Sequence, residues 1–297
     1  MIFDVMLPYY GDVGLMQTAV RSVLAQTHQD WRLTVVDDGR AQHVPEWFAA
    51  LGDPRVRYRR NPENLGVTRN YQQCVRLAEH PYMTMMGTDD VMLPNYLAVL
   101  DQVVTSFPGV AMIQPGVEVI DSAGQVTHTL ADAVKKYLYQ PRVTTRRLMS
   151  GQPLAASLLR GAWFYFPSIC WRTDAIQKVN FRDDLHVIQD LALVVDLLQL
   201  GEAMALDPTV CFQYRRHAVS VSAAGAMSGT RFTEARGYFV ETAAELRAHG
   251  WPRAARASRH YLSSRMHACT LLPAAIRSRN REGLVTLARH AFGPARR

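Results

Sequence analysis

Two acidic pairs, Asp37-Asp38 and Asp89-Asp90, each close a short apolar run, and a glycine follows the first pair. Mg²⁺ and Mn²⁺ prefer oxygen ligands and often take one or two protein carboxylates beside phosphate oxygens. Asp89 and Asp90, at a strand end with a helix behind them, suit a divalent cation that neutralises a diphosphate and polarises a departing group. Asp38, in VVDDG, can accept the N3–H of a uracil or thymine ring, which favours a pyrimidine over guanine. The competing explanation for each pair is a turn or a helix cap, because Asp and Gly favour both. For Asp37 the two readings are balanced.

The elements that must position these carboxylates follow from the hydrophobic pattern. Residues 2–7, 31–36, 56–60 and 82–86 read as strands, and residues 15–25, 44–51, 66–78 and 94–104 as helices. This alternation predicts an α/β fold with a doubly wound, mostly parallel sheet. Ligands bind such sheets beyond the carboxyl ends of the strands. The loops there, 8–12, 37–40, 61–69 and 87–90, carry Asp12, Asp37, Asp38, Asp89 and Asp90 between them. Past residue 110 the rhythm changes. A strand is expected over 111–120, a helix over 146–159, a strong helix over 188–200 and a short strand over 210–214. Helices follow at 232–249, 254–268 and 284–292.

The chain has 297 residues, 48% of them hydrophobic, enough for one large domain with an appendage. Its four cysteines form no C-x-x-C pair, which argues against a zinc knuckle or a redox motif and suits a reducing compartment. The first ten residues lack the basic and apolar regions of a signal peptide, and no stretch approaches a membrane span. A cytoplasmic protein is therefore expected.

The motifs taken in order resemble those of family 2 glycosyltransferases, inverting enzymes with the GT-A fold. MLPYYGDVGLMQTAVRSVLAQTHQDWRLTVVDDG is similar to that family's opening strand, helix and Asp-Asp-Gly strand end. NPENLGVTRNYQQCV is similar to its second loop and helix, and MGTDDVMLPNYL to its metal-binding Asp-x-Asp region. FRDDLHVIQDLALVVDLLQLG and YRRHAVSVSA are similar to its two later segments, so the resemblance runs over residues 1–224. It implies a catalytic domain at 1–225 and a helical region at 226–297. It also implies that Asp38 contacts the base of a nucleotide-sugar donor while Pro8 and Tyr10 pack around the nucleoside. Asp12, Arg69 and Asp89 join the donor-binding set, and Arg215 and Arg216 meet the phosphates. Asp90 and His217 hold Mn²⁺ or Mg²⁺, and Asp190 is the catalytic base. Thr88 stands at the first carboxylate position of the metal motif, Gln189 where Glu is common, and Ala162 where a polar residue is frequent. A carboxylate near a helix start is also a good N-cap in any protein, and Asp190 can serve both roles.

The charge is uneven. Residues 231–297 hold 13 Arg, no Lys and 4 Glu, a net +9 against +7 for the whole chain. Basic amphipathic helices can lie on anionic membranes, so the protein is expected either on the inner face of the cell membrane, or with these helices packed on the catalytic domain or a second subunit. The acceptor expected is a glycan or a lipid-linked sugar, in cell-surface polysaccharide or glycolipid synthesis. A nucleic-acid partner is not expected, because paired acids are unhelpful there and no such motif occurs. The first loop, Pro8-Tyr9-Tyr10-Gly11-Asp12, has no basic residue for a sugar nucleotidyltransferase and no G-x-G-x-x-G for a dinucleotide enzyme. A catalytically degenerate nucleotide-binding relative is the remaining alternative.

Overall fold

The computed structural model describes residues 1–216 and 230–294, so His217 lies outside the described residues. The first half builds β1 (Phe3–Tyr9), α1 (Val13–Leu24), β2 (Trp31–Asp37), α2 (Val44–Leu51), β3 (Val56–Arg60), α3 (Val67–Leu77), β4 (Tyr82–Met85), β5 (Val91–Met92) and α4 (Tyr96–Ser106). Next come β6 (Met112–Ile120), α5 (Leu130–Val134) running into a π turn at Lys135–Tyr139, β7 (Arg147–Ser150), α6 (Gly151–Arg160), β8 (Cys170–Arg172) and α7 (Thr173–Val179). The chain continues with α8 (Gln189–Gln199), β9 (Ala203–Arg215), α9 (Thr230–Ala248), α10 (Pro252–His260), α11 (Leu262–Arg277) and α12 (Arg281–Phe292).

The strands form one mixed sheet in the order β3-β2-β1-β4-β8-β6-β9-β5, with β7 also paired to β9. Strands β1 to β4 are parallel, so the loops that follow them share one edge. β1 and β2 read as continuous apolar runs because both faces of the sheet are covered. β3 sits at the rim and alternates half-buried with exposed residues, its exposed Arg57 and Arg59 guarding the open edge. The period of two divides the interior. Met6, Val36, Met83 and Met85 face one core, while Val5, Leu7, Leu33 and Val35 face the other.

The sequence pattern misplaces several elements. The helix expected over 146–159 begins as β7, because residues 147–150 pair with β9, and only then becomes α6. The short strand expected over 210–214 extends back to Ala203 along β6. The helix expected over 254–268 breaks at Tyr261, whose backbone is left-handed (φ 32°). Tyr261 is fully buried and stacks on Phe239 at 5.4 Å, so packing outweighs local propensity. The pattern does not foretell β5, α5, β8 or α7, all short and completed by tertiary pairing or packing.

The C-terminal helices divide. Tyr238, Phe239 and Leu246 of α9, with Ala254 of α10, join the same core as α8. Among the expected alternatives, packing on the catalytic domain holds for these two helices. Phe232, Ala268, Ala275, Leu287 and Ala291 form a separate small core under α11 and α12. No described helix is long and apolar enough to cross a membrane.

Candidate active site

The strand-end carboxylates have unequal surroundings. Asp37 is fully buried and spent on structure: Gly39 N–H donates to Oδ1 at 2.8 Å, and Tyr58 and Arg60 donate to Oδ2. These bonds account for a turn role of Asp37. Asp38 is also buried. Its carboxylate accepts from Asn61 Nδ2 (2.8 Å), Leu65 N–H (2.8 Å) and Gly66 N–H (2.9 Å), and so pins the loop ahead of α3. Gly66 adopts φ +76°, which lets both amides turn toward that carboxylate. A carboxylate has about four acceptor positions, so one remains on Asp38 for a ligand. Asp12 caps α1 through Leu15 N–H at 2.8 Å, Tyr10 is 68% exposed, and Pro8 is half-buried at the end of β1.

The Asp89-Asp90 turn is clamped from β9. Arg215 N–H donates to Asp90 Oδ1 at 2.9 Å, and Arg215 Nε donates to the Asp89 carbonyl at 2.7 Å. Another guanidinium nitrogen of Arg215 reaches the Asp121 carbonyl, so this buried arginine is committed to holding the turn. Asp90 is 1% exposed, and its Oδ2 has no partner among the described residues. Burial, followed by the charge of Asp89, pushes the Asp90 carboxyl well above the usual carboxylate range, against the pull of Arg215. An orphaned buried carboxylate oxygen beside a second carboxylate is costly unless a cation completes it. Gly87 keeps the place open: a Cβ there would stand 2.4 Å from Asp90 Oδ2 and 3.0 Å from Asp89 Oδ1. The donor set thus fits a hard divalent cation. No cluster of three or more His, Cys, Asp or Glu residues that could hold a metal occurs among the described residues.

Asp190 is the second residue of α8, and Ile188 is the N-cap, so the expected capping role does not hold. Asp190 Oδ1 accepts from the adjacent Leu191 N–H at 2.7 Å. The helix entrance is tied down instead by Glu234 of α9. Its carboxylate accepts from the amides of His186 (3.1 Å), Val187 (2.8 Å) and Ile188 (3.0 Å). Burial raises the Asp190 carboxyl, opposed by the Leu191 bond and by the charges of Lys135 and Arg231.

Asp190 opens into a cavity of about 770 Å³, which Arg69, Lys135, Tyr165, Tyr214 and Arg216 also line. The charges of Asp89, Asp90 and Asp190 all reach Tyr214, whose hydroxyl is pushed up to about 12, chiefly by burial. Arg216 is paired with Asp132 of α5 through Nε at 2.8 Å and a second, shorter contact, and Tyr165 Oη donates to the same carboxylate at 3.0 Å. Sequence reasoning missed Asp132, Lys135 and Glu234, which sit in segments with no pattern to mark them. Trp163 and Trp171 are buried in the core, whereas Tyr165 and the buried Phe164 line the cavity. The four cysteines are free thiols.

The sequence model of the family described as Glycosyl transferase family 2 matches residues 4–164, just over half of the chain. A protein of Escherichia coli (strain K12) named as a colanic acid biosynthesis glycosyl transferase, WcaA, is 31% identical over 100 residues. That match covers 33% of this chain and spans only 36% of the E. coli protein. The structure is similar to S. aureus TarS 1-349 in complex with UDP-GlcNAc, with a TM-score of 0.63 and 11% identity over 99% of this chain and 93% of that one. It is also similar to the mannosyltransferase PcManGT of Pyrobaculum calidifontis in complex with GDP-Man and Mn²⁺, with a TM-score of 0.57 and 13% identity over 98% and 86%. At these identities the structural likeness is one of fold.

Proposed function

This chain belongs to glycosyl transferase family 2, and on that premise we propose that it inverts configuration as it moves a sugar from a UDP- or dTDP-linked donor to an acceptor hydroxyl. The fold is GT-A, the sheet is mixed, and the enzyme class is glycosyltransferase. The observation that carries the finer reading is the buried Oδ2 of Asp90, which has no partner among the described residues, and Asp190 lining a cavity with Tyr214 supports the base.

In this reading the acceptor occupies the cavity beside Asp190. Leu191 anchors Oδ1, which leaves Oδ2 to take the proton from the attacking hydroxyl. The raised proton affinity that burial gives Asp190 makes it a better base than an exposed aspartate. Asp90 and Asp89 would hold Mn²⁺ or Mg²⁺, with His217 completing the site. When bound, the cation supplies charge neutralisation to the departing diphosphate. Asp38 and the loop it pins receive the base, with Pro8, Tyr10 and Asp12 around the nucleoside and Arg69 on the cavity side. Arg216 meets the phosphates only by sharing its guanidinium with Asp132. The two structural neighbours were solved with different nucleobases, so the preference for a pyrimidine rests on the remaining acceptor position of Asp38.

The E. coli relative's name supports a place in cell-surface polysaccharide or glycolipid synthesis, with a glycan or lipid-linked acceptor. Exposed Leu262, Met266, Ile276, Val285 and Phe292 on the Arg-rich α11 and α12 support peripheral contact with an anionic membrane. Flotation with anionic vesicles tests this, and a protein that stays at the bottom of the gradient removes it.

Calorimetric titration with UDP, dTDP, GDP and ADP, with and without Mn²⁺, tests the donor reading. Mn²⁺-dependent binding of UDP or dTDP is expected. Tight GDP binding would overturn the role of Asp38, and no binding of any nucleotide would favour a degenerate relative.

A further inference from the structure

The cavity beside Asp190 holds a cation that proton transfer does not use. Lys135, the first residue of the π turn after α5, lines the wall, with its ammonium 5.0 Å from the centre of the Tyr165 ring. Among the described residues no carboxylate lies within ion-pair distance of it. Burial, with the charge of Arg216 adding to it, lowers its proton affinity, and Asp132 and Asp190 partly restore it. Lys135 is half-buried, and the aromatic face gives its ammonium only a weak partner.

The other charges nearby do not answer it. Asp132 already accepts from Arg216, Thr129 and Tyr165. Glu234 is occupied by three backbone amides, and Asp183 accepts from Gln72. Arg69 adds a further positive charge to the same lining. Asp190 and Lys135 both line the cavity, whereas Asp38, Asp89 and Asp90 do not.

We propose that Lys135, seated against Tyr165, forms an anion subsite beside Asp190, so that the acceptor is a sugar bearing a carboxylate or a phosphate close to the attacking hydroxyl. This rests on the transferase reading above. The ammonium meets the anion once the acceptor displaces water, and the pairing orients the hydroxyl toward Asp190.

The test is an NMR titration of the full chain, saturated with UDP and Mn²⁺ to block the donor site, with methyl glucuronide, glucose 1-phosphate and methyl glucoside. One or both anionic sugars should bind at least about tenfold tighter than the neutral one, the factor expected of one charge-assisted contact. A tighter glucuronide assigns a carboxylate, and a tighter glucose 1-phosphate a phosphate. Lys135→Met should abolish the advantage and Lys135→Arg keep most of it, with UDP affinity unchanged in both. Equal binding of all three sugars by the wild type overturns the subsite. Weaker UDP binding in Lys135→Met also overturns it, by moving Lys135 to the leaving group. Failure of the wild type to bind UDP, dTDP and GDP alike is a separate result that sinks the donor reading itself.

Discussion

Gly87→Ala is the sharpest probe of the acidic turn. The new Cβ would stand 2.4 Å from Asp90 Oδ2, at least 0.6 Å inside the closest approach that side chains tolerate, and 3.0 Å from Asp89 Oδ1. Gly87 does not have a left-handed backbone, so the effect comes from the side-chain clash and not from φ strain. Asp90 is 1% exposed and tied through Oδ1 to Arg215 N–H, so it cannot swing away freely. An off-rotamer carboxylate and a weakened hydrogen bond together cost about 1–3 kcal/mol of stability. Displacing a ligating oxygen should lower Mn²⁺-dependent UDP affinity by roughly 10–100-fold. Denaturant unfolding and calorimetry with and without Mn²⁺ measure the two effects. Gly237→Ala is the control: Gly237 is an exposed position of α9 with nothing within 4 Å of its Cβ, and the change should stabilise by about 0.5–1 kcal/mol. A Gly87→Ala protein with wild-type stability and wild-type Mn²⁺-dependent UDP affinity would refute the reasoning.

Other expectations concern the base and its supports. Asp190→Asn should keep UDP affinity and lose about 10²–10⁴-fold in kcat, read from steady-state kinetics; near-normal turnover would remove Asp190 as the base. Because burial raises its proton affinity and only the ionised form accepts a proton, kcat should fall with decreasing pH on a limb centred above 3.8. A pH–rate profile checks this, and a limb at or below that value contradicts it. Glu234→Ala strands three amides at the entrance to α8; it should lower stability by about 1–3 kcal/mol and depress kcat more than donor affinity. His290 is buried, its Nδ1 has no hydrogen-bond partner among the described residues, and burial lowers it from 6.5 to about 4. Its folded pKa lies below its unfolded one, so the unfolded chain takes up the proton first. Stability should be flat above pH 6.5 and fall as the pH drops from there toward 4. Denaturant midpoints across that range should show this slope in the wild type and a smaller one in His290→Leu.

The early strands and helices were legible because their patterns are local and strong. β1 and β2 are apolar runs closed by polar loops, and α2 and β3 fall on the residues that the pattern indicates. The acidic pairs also announced themselves by position, since parallel strands bring their carboxyl ends to one edge. Tertiary structure decided the rest. Only β9, from more than 120 residues away, shows that Asp90 is held through one oxygen and orphaned at the other. Asp38 looks like a ligand contact in sequence but spends three of its acceptor positions pinning a loop. Asp37 looks much the same and is wholly structural. Lys135, Asp132 and Glu234 carry no local signal, because burial and charge partners are properties of packing, and each gains meaning only from residues far along the chain. Sequence by itself determined which residues end the strands. The fold decided which of them keep an oxygen or a cation to offer, because a buried polar group is committed or available according to what packs against it.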